Sequence, residues 1–258
     1  MTLADDATTP WIRRYRPNGA SSVRIICFPH AGGSATFYQP VAVRFAGQAD
    51  VVSLQYPGRQ DRRHEPMIPD IETLADRITE ELQKLTPKPT VFFGHSMGAV
   101  LAFETAWRTG AAGDGPGAVL ASGRRAPSCI RNESVHQRDD EGVIAELKRL
   151  NGTAVGVLAD DEILRMSLPA IRNDYHAIET YRCEPGRRID SPITVLTGDA
   201  DPLTTAAEAA AWAEHTTGPC RLVTLPGGHF FLAQQQAAVN REIAEAVTTI
   251  TAAAPARR

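Results

Sequence analysis

The sequence predicts an α/β fold, a mostly parallel central sheet with helices on both faces and an inserted helical lid. Three observations carry that expectation. Short apolar, β-branched segments alternate with amphipathic helical ones, at the spacing that parallel strands and their crossover helices require. One such strand, at residues 90–93, runs through Gly94-His95-Ser96-Met97-Gly98 straight into a helix-forming stretch. The alternation then stops over residues 124–191, where only helical patterns appear, before the sheet resumes.

The elements follow in order. A single domain spanning 1–258 is expected, with 124–191 inserted as the lid. Residues 11–17 alternate apolar and basic side chains, which suits an edge strand or an extended arm. Residues 23–28 (VRIICF) are a strand that ends in Pro29-His30-Ala31-Gly32-Gly33-Ser34. A glycine pair just after a strand lets backbone N–H groups face a ligand. A second strand at 51–56 (VVSLQY) leads into Pro57-Gly58-Arg59-Gln60-Asp61-Arg62-Arg63. Asp70 opens a helix with Ile71, Leu74, Ile78, Leu82 and Leu85 on one stripe, and Pro87 and Pro89 end it. Beyond the helix after Gly98, residues 110–117 form a Gly-rich turn and 118–122 (AVLAS) another strand.

Within the insertion, residues 139–150 and 160–181 read as helical, interrupted at Asn151-Gly152 and at Pro169. Connections between strand and helix are normally a few residues long. A helical insertion of this size is expected to cap the site, exclude water and select the substrate. The sheet resumes at 193–197 (ITVLT), followed by Gly198-Asp199-Ala200-Asp201-Pro202 and a helix over 205–214. The strand at 222–225 runs into Pro226-Gly227-Gly228-His229-Phe230-Phe231. The last helix carries Val239, Ile243, Val247 and Ile250 on one face, and residues 252–258 form a frayed tail.

Composition excludes several classes. The chain is 43% hydrophobic and 22% charged, with a formal net charge of −3, so no global basic field points to nucleic acid. No apolar run is long enough to span a membrane, and residues 1–10 are polar, with Asp5 and Asp6 in place of an apolar signal core. Cys27, Cys129, Cys183 and Cys220 lie far apart without a C-x-x-C or zinc spacing. Reduced thiols in a cytoplasmic protein are the economical reading.

The chemistry is concentrated at three strand ends. Gly94-x-Ser96-x-Gly98 after a strand and before a helix is the nucleophile elbow of the α/β-hydrolase fold. A serine hydroxyl attacks well only when a base removes its proton, so a histidine and an orienting acid are needed. In this fold they follow in the order serine, acid, histidine. The acid pair Asp199 and Asp201 follows one strand, and His229 follows the last. Periodicity alone leaves Asp199 and Asp201 undivided. Of the seven histidines, the other six lose on position. His95 lies inside the elbow with its side chain expected to point away from the nucleophile, and His30 suits a turn or packing role. His64, His136, His176 and His215 fall in predicted loops or helices. The loop at 29–34 is placed to supply a second oxyanion donor.

Phe28-Pro29-His30-Ala31-Gly32-Gly33-Ser34, Gln55-Tyr56-Pro57-Gly58-Arg59, Gly94-His95-Ser96-Met97-Gly98, Gly198-Asp199-Ala200-Asp201-Pro202 and Gly228-His229-Phe230-Phe231 together resemble type II thioesterases. These are the free-standing editing enzymes of modular polyketide and nonribosomal peptide synthases. The resemblance runs from about Trp11 to the last helix. It implies Ser96 as nucleophile, Asp201 as orienting acid and His229 as base, with the backbone N–H groups of Met97 and Ala31 as oxyanion donors. It also implies hydrolysis of aberrant or stalled acyl groups from the phosphopantetheine arm of acyl or peptidyl carrier proteins, with no metal or other cofactor. Lacking a carrier domain or synthase linker, the chain is expected to act as a separate protein. The rival readings are a carboxylesterase or lipase on the same fold, and a non-catalytic binding protein. Intact Ser96, Asp201 and His229 argue against the latter. Carrier proteins of this family are usually acidic, while this chain is itself slightly negative. Docking is therefore expected from a local rim of Arg59, Arg62 and Arg63 after the second strand, with Arg124, Arg125 and Arg131 at the start of the insertion.

Overall fold

The computed structural model describes residues 9–151 and 161–253. The polar start at 1–8, the expected break at Gly152 and the tail at 254–258 lie outside the described residues. Among those described, β1 (Ile12–Arg13), β2 (Arg24–Phe28), β3 (Asp50–Leu54), β4 (Thr90–His95), β5 (Ala118–Ser122), β6 (Ile193–Gly198) and β7 (Cys220–Leu225) form one sheet. Its order is β1-β3-β2-β4-β5-β6-β7. All neighbours pair in parallel except β1, which runs antiparallel to β3 with Ile12 opposite Leu54. Residues 11–17 thus supply an edge strand.

The parallel strands are apolar on both faces because helices cover both. Ile26, Phe28, Phe92 and Val119 face one core, where they meet Leu74 and Ile78 of α2 (Ile71–Leu82) and Phe103 of α3 (Met97–Ala111). Ile25, Cys27, Val91, Phe93 and Leu120 face the other, against α1 (Gln39–Phe45) and α8 (Gln236–Ala253). This alternation is the period-2 geometry of a strand, and each fully buried Ile or Phe contributes about 1.5–3 kcal/mol. Asp70 caps α2 by accepting the Thr73 N–H at 2.7 Å. Val239, Ile243, Val247 and Ile250 are the buried face of α8, as expected.

Three elements differ from expectation. α1 was not anticipated; it is short, follows a 3-10 turn and begins with Pro40 in its first turn, so its periodic signal is weak. The helix expected over 205–214 is α6 (Ala206–Ala210), closed by a Thr205/Glu208 capping box and continued as a 3-10 turn to His215. Pro169 does not interrupt its helix, since α5 (Asp161–Thr180) runs through it. An internal proline costs about 3 kcal/mol. Burial of Leu164, Leu168 and Ile171 against Val143 and Ile144 of α4 (Asp140–Asn151) offsets that cost. α4 and α5 make up the helical part of the insertion between β5 and β6, and α7 (Phe231–Gln234) directly follows the His229 loop. No helix among the described residues is long and apolar enough to cross a membrane.

Candidate active site

Ser96 sits between β4 and α3 with φ 55° and ψ −119°, in the positive-φ region where a non-glycine residue is strained. The strain is held by close backbone approach on each side. A Cβ on Gly98 would lie 2.0 Å from the Phe28 carbonyl oxygen, so β2 and α3 come together only with glycine there. The Ser96 N–H donates to the Ser122 carbonyl at 2.8 Å, which ties the elbow to the end of β5. The result lifts the hydroxyl off the sheet edge at the head of α3.

Asp201 follows β6 and His229 follows β7, and their loops are joined by the Ala200 N–H bond to the Gly227 carbonyl at 3.0 Å. His229 Nε2 is 3.0 Å from Ser96 Oγ. His229 Nδ1 lies 3.0 and 3.1 Å from the two Asp201 oxygens. A carboxylate only accepts, so Nδ1 carries the proton and Nε2 turns its lone pair to the Ser96 hydroxyl. The structure therefore brings Ser96 together with Asp201 and His229, each more than a hundred residues away in the sequence. It also divides the two aspartates. Asp199 Oδ1 accepts the Gly227 N–H at 2.9 Å and makes no contact with His229, while Asp201 also accepts the Leu203 N–H at 2.9 Å.

Two neighbouring histidines are kept neutral. Burial, then the charge of His229, then Arg59, pushes His30 down to about 3. Burial, followed by the charges of His229 and His30, holds His95 well below the usual histidine range. His95 bonds Ser122 Oγ at 3.0 Å instead of the nucleophile, though its ring centroid is 5.1 Å from that of His229. His30 packs edge-on against Phe37 and Phe230. Both rings wall His229 without adding a competing proton.

Among the described residues, neither the Met97 nor the Ala31 backbone N–H has an acceptor within the protein. That is the condition expected of oxyanion donors at a helix start and a glycine loop. The loop is held from outside by a residue that sequence reasoning missed. Gly32, at φ +72°, donates its N–H to Asp174 Oδ2 of α5 at 2.8 Å. The same Asp174 oxygen takes the Arg59 guanidinium, and both side chains are buried. Arg59 also donates to the Pro57 carbonyl at 2.8 Å and lies over the Tyr56 ring, whose hydroxyl bonds the Pro29 carbonyl at 3.3 Å. A signal for Asp174 does exist in the sequence. It occupies the stripe of Leu164, Leu168, Ile171 and Ile178, where an acid is out of place on a buried face.

The expected arginine rim is corrected by burial. Arg59 is 7%, Arg62 4%, Arg124 8% and Arg125 4% exposed, so none presents its charge to a docking partner. Arg62 is bidentate on Glu65 and stacked over Trp11, and Arg125 is bidentate on Glu133. Arg131 is half-buried on Glu208 at 2.5 Å, and only Arg63 is exposed among the six. Arg59, Arg62, Arg125 and Arg131, whose charges are paired within the loops around the site, do not form an open rim.

The triad opens onto a cavity of about 650 Å³ lined by Ala31, Phe37, Leu147, Leu164, Ile171 and Tyr175, among others, so α4 and α5 form much of its wall. That is a size suited to a small organic ligand. Among the described residues, no group of three or more His, Cys, Asp or Glu side chains is placed to hold a metal ion.

A family model described as "Thioesterase domain" matches residues 23–249. The chain belongs to the thioesterase domain family. A Streptomyces griseus protein named "Probable cadicidin biosynthesis thioesterase" is 65% identical over 247 residues, covering 96% of this chain and 68% of the relative. Thioesterase PikA5 of Streptomyces venezuelae is 42% identical over 252 residues, covering 96% of this chain and 89% of that one. Among solved structures, the type II thioesterase BorB from the borrelidin biosynthetic cluster superposes with a TM-score of 0.88 at 51% identity, covering 92% of this chain and 97% of that one. The fold is therefore the α/β-hydrolase fold of type II thioesterases, and the chain is a thioester-hydrolysing enzyme of that class.

Proposed function

We propose that this thioesterase removes acyl groups from the phosphopantetheine arm of acyl or peptidyl carrier proteins, as an editing enzyme of polyketide or nonribosomal peptide assembly. The observation that carries the chemistry is the chain of contacts from Ser96 Oγ to His229 to Asp201, with Ser96 and His229 lining the cavity. Ser96 Oγ attacks the thioester carbonyl carbon while His229 Nε2 takes its proton, and Asp201 holds the imidazolium that results. The negative oxygen of the tetrahedral intermediate sits between the Met97 and Ala31 N–H groups, each worth about 10²–10³ in rate in comparable sites. The C–S bond then breaks, the thiol leaves with the proton from His229, and the acyl group remains on Ser96 as an ester. A simple thiol has a pKa of about 8.5, so it departs with less help than an alkoxide. Water, deprotonated by His229, attacks the ester and releases the acid. The carrier as partner rests on the relatives' roles in biosynthetic clusters. A cytoplasmic location is part of the same proposal, supported by four cysteines that are all unpaired.

The test uses acyl-carrier protein substrates and a fluorophosphonate probe. Ser96→Ala and His229→Ala should each remove nearly all turnover in folded protein, and the double variant should lose little more, because the residues act as a unit. Ser96 should be the labelled residue. Asp201→Asn should cost far more activity than Asp199→Asn, whose partner is the Gly227 N–H. The reverse ranking would overturn the choice of acid. Faster turnover of matched oxygen esters than of thioesters would favour an esterase instead.

A further inference from the structure

The cavity wall carries one charge that has no ion-pair or hydrogen-bond partner among the described residues. Arg124 follows β5, whose Ser122 pairs with His95 beside Ser96, and it lines the same cavity as Ser96. It is 8% exposed, its Nε is sealed from solvent without an acceptor, and among the described residues it forms no ion pair and its guanidinium no hydrogen bond. Every carboxylate near it in the wall is committed elsewhere. Glu133 is bidentate on Arg125, at 3.1 and 2.5 Å. Glu146 holds Arg138 and Arg149, and outside the wall Glu208 holds the lining Arg131. Glu179 takes the His136 ring and the backbone N–H groups of Val135 and His136.

A second polar group faces the same space. Tyr175 of α5 lines the cavity, and among the described residues its hydroxyl has no hydrogen-bond partner. Burial, then Glu146 and Glu179, raises its pKa, so the phenol keeps its proton and can donate. Burial, then the Arg125 charge, lowers Arg124 to about 9, which still leaves it protonated at neutral pH. Two donors from opposite elements, β5's end and α5, thus line one cavity with nothing to donate to. A buried guanidinium with no partner is costly, and an acyl chain made only of CH₂ and CH₃ groups would leave it so. The remaining wall here, Leu147, Leu164, Ile171 and Ile178, would cover the hydrocarbon part.

We propose that Arg124 and Tyr175 form a polar subsite that selects acyl groups bearing an acceptor oxygen, such as a 3-hydroxyl, a 3-keto or a chain-end carboxylate oxygen. This rests on the acyl-thioesterase reading above and names its preferred substrate class. The same oxygen that satisfies the guanidinium would orient the acyl chain, so the gain appears in kcat/KM.

The experiment measures kcat/KM for N-acetylcysteamine thioesters of hexanoic, 3-hydroxyhexanoic, 3-oxohexanoic and hexanedioic acids. Wild-type enzyme should favour at least one oxygenated chain over hexanoyl by roughly tenfold or more, the worth of a hydrogen bond to a charged donor. Arg124→Met should erase most of that ratio, and Tyr175→Phe should reduce it a few-fold. A larger ratio for the hexanedioyl chain assigns the subsite to an anion, and a larger one for the hydroxy or keto chain to a neutral oxygen. If Arg124→Met does not fold, Tyr175→Phe and the wild-type panel still decide the matter. Equal wild-type rates for hexanoyl and all oxygenated chains, or a ratio that survives both substitutions, would overturn the subsite while leaving thioester hydrolysis intact. Failure to hydrolyse any thioester would instead overturn the function, and the subsite with it.

Discussion

Asp174 joins α5 to the loop that carries the Ala31 N–H, and Asp174→Ala isolates what that join contributes. Two losses are expected, and they read out separately. Arg59, 7% exposed, keeps its charge but loses its carboxylate, and a buried charge stripped of its partner destabilises a protein by about 3–5 kcal/mol. The Gly32 N–H simultaneously loses its acceptor at 2.8 Å, so the turn next to Ala31 is no longer pinned from α5. Complete loss of one oxyanion donor costs about 10²–10³, and a misplacement of about 1 Å costs about 10². A loop that is loosened but still present should therefore lose about 10–100-fold in kcat, with little change in KM. Asp174→Asn keeps an acceptor oxygen for Gly32 but removes the charge opposite Arg59. It should recover more of kcat than of stability. The assays are steady-state hydrolysis of a short acyl thioester, urea denaturation, and affinity for a trifluoromethyl ketone that mimics the tetrahedral adduct. The ketone should weaken in parallel with kcat. Normal kcat and ketone binding in a destabilised but folded Asp174→Ala enzyme would show that the contact only holds the fold together.

Three further outcomes follow from buried groups. His30, held at about 3 against an ordinary 6.5, stays neutral in the fold while the unfolded chain takes up a proton below about pH 6.5. No stability is lost above that pH, and the loss grows as pH falls toward 3, reaching about 2 kcal/mol at pH 5. His30→Phe, which fits the surrounding aromatic edges, should shrink the drop in urea midpoint between pH 7.5 and pH 5; an unchanged drop would assign acid sensitivity elsewhere. Glu104 of α3 is fully buried and takes Arg108, Arg187 and the Tyr181 hydroxyl at 2.5, 2.6 and 2.6 Å. Glu104→Ala should cost about 3–5 kcal/mol by chemical denaturation, and a loss below about 1 kcal/mol would mean that water replaces the carboxylate. Gly98→Ala should yield no folded, probe-reactive enzyme, since its Cβ would fall 2.0 Å from the Phe28 carbonyl oxygen; normal labelling of Ser96 in that variant would contradict the packing described for the elbow.

What the sequence discloses here depends on whether a residue's role is local. The elbow, the glycine loop and the strand ends were legible because each needs a fixed backbone path over a few residues, written in Gly, Ser and β-branched types. The parallel sheet was legible for the same reason, from runs such as Arg24–Phe28 that are buried on both faces. The arginines were misread because a charge in a sequence carries no sign of its burial. Arg131 meets Glu208, and Arg59 meets Asp174, only after the chain has added one or two further strands, and these partners turn apparent surface charges into struts. Periodicity does not reveal what separates Asp199 from Asp201, that one accepts the Gly227 N–H while the other faces the His229 ring. Pro169 misled in the opposite direction, since a local rule was outweighed by tertiary burial of the residues around it. Where long-range roles did leave a trace, it was as a local inconsistency: an acid at position 174 on an otherwise apolar stripe of α5. Natural sequences tolerate such conflicts chiefly where a site needs them. On that argument α5 does more than cover the cavity, because the helix that lines it with Ile171 and Tyr175 also fastens the glycine loop beside Ala31 through Asp174.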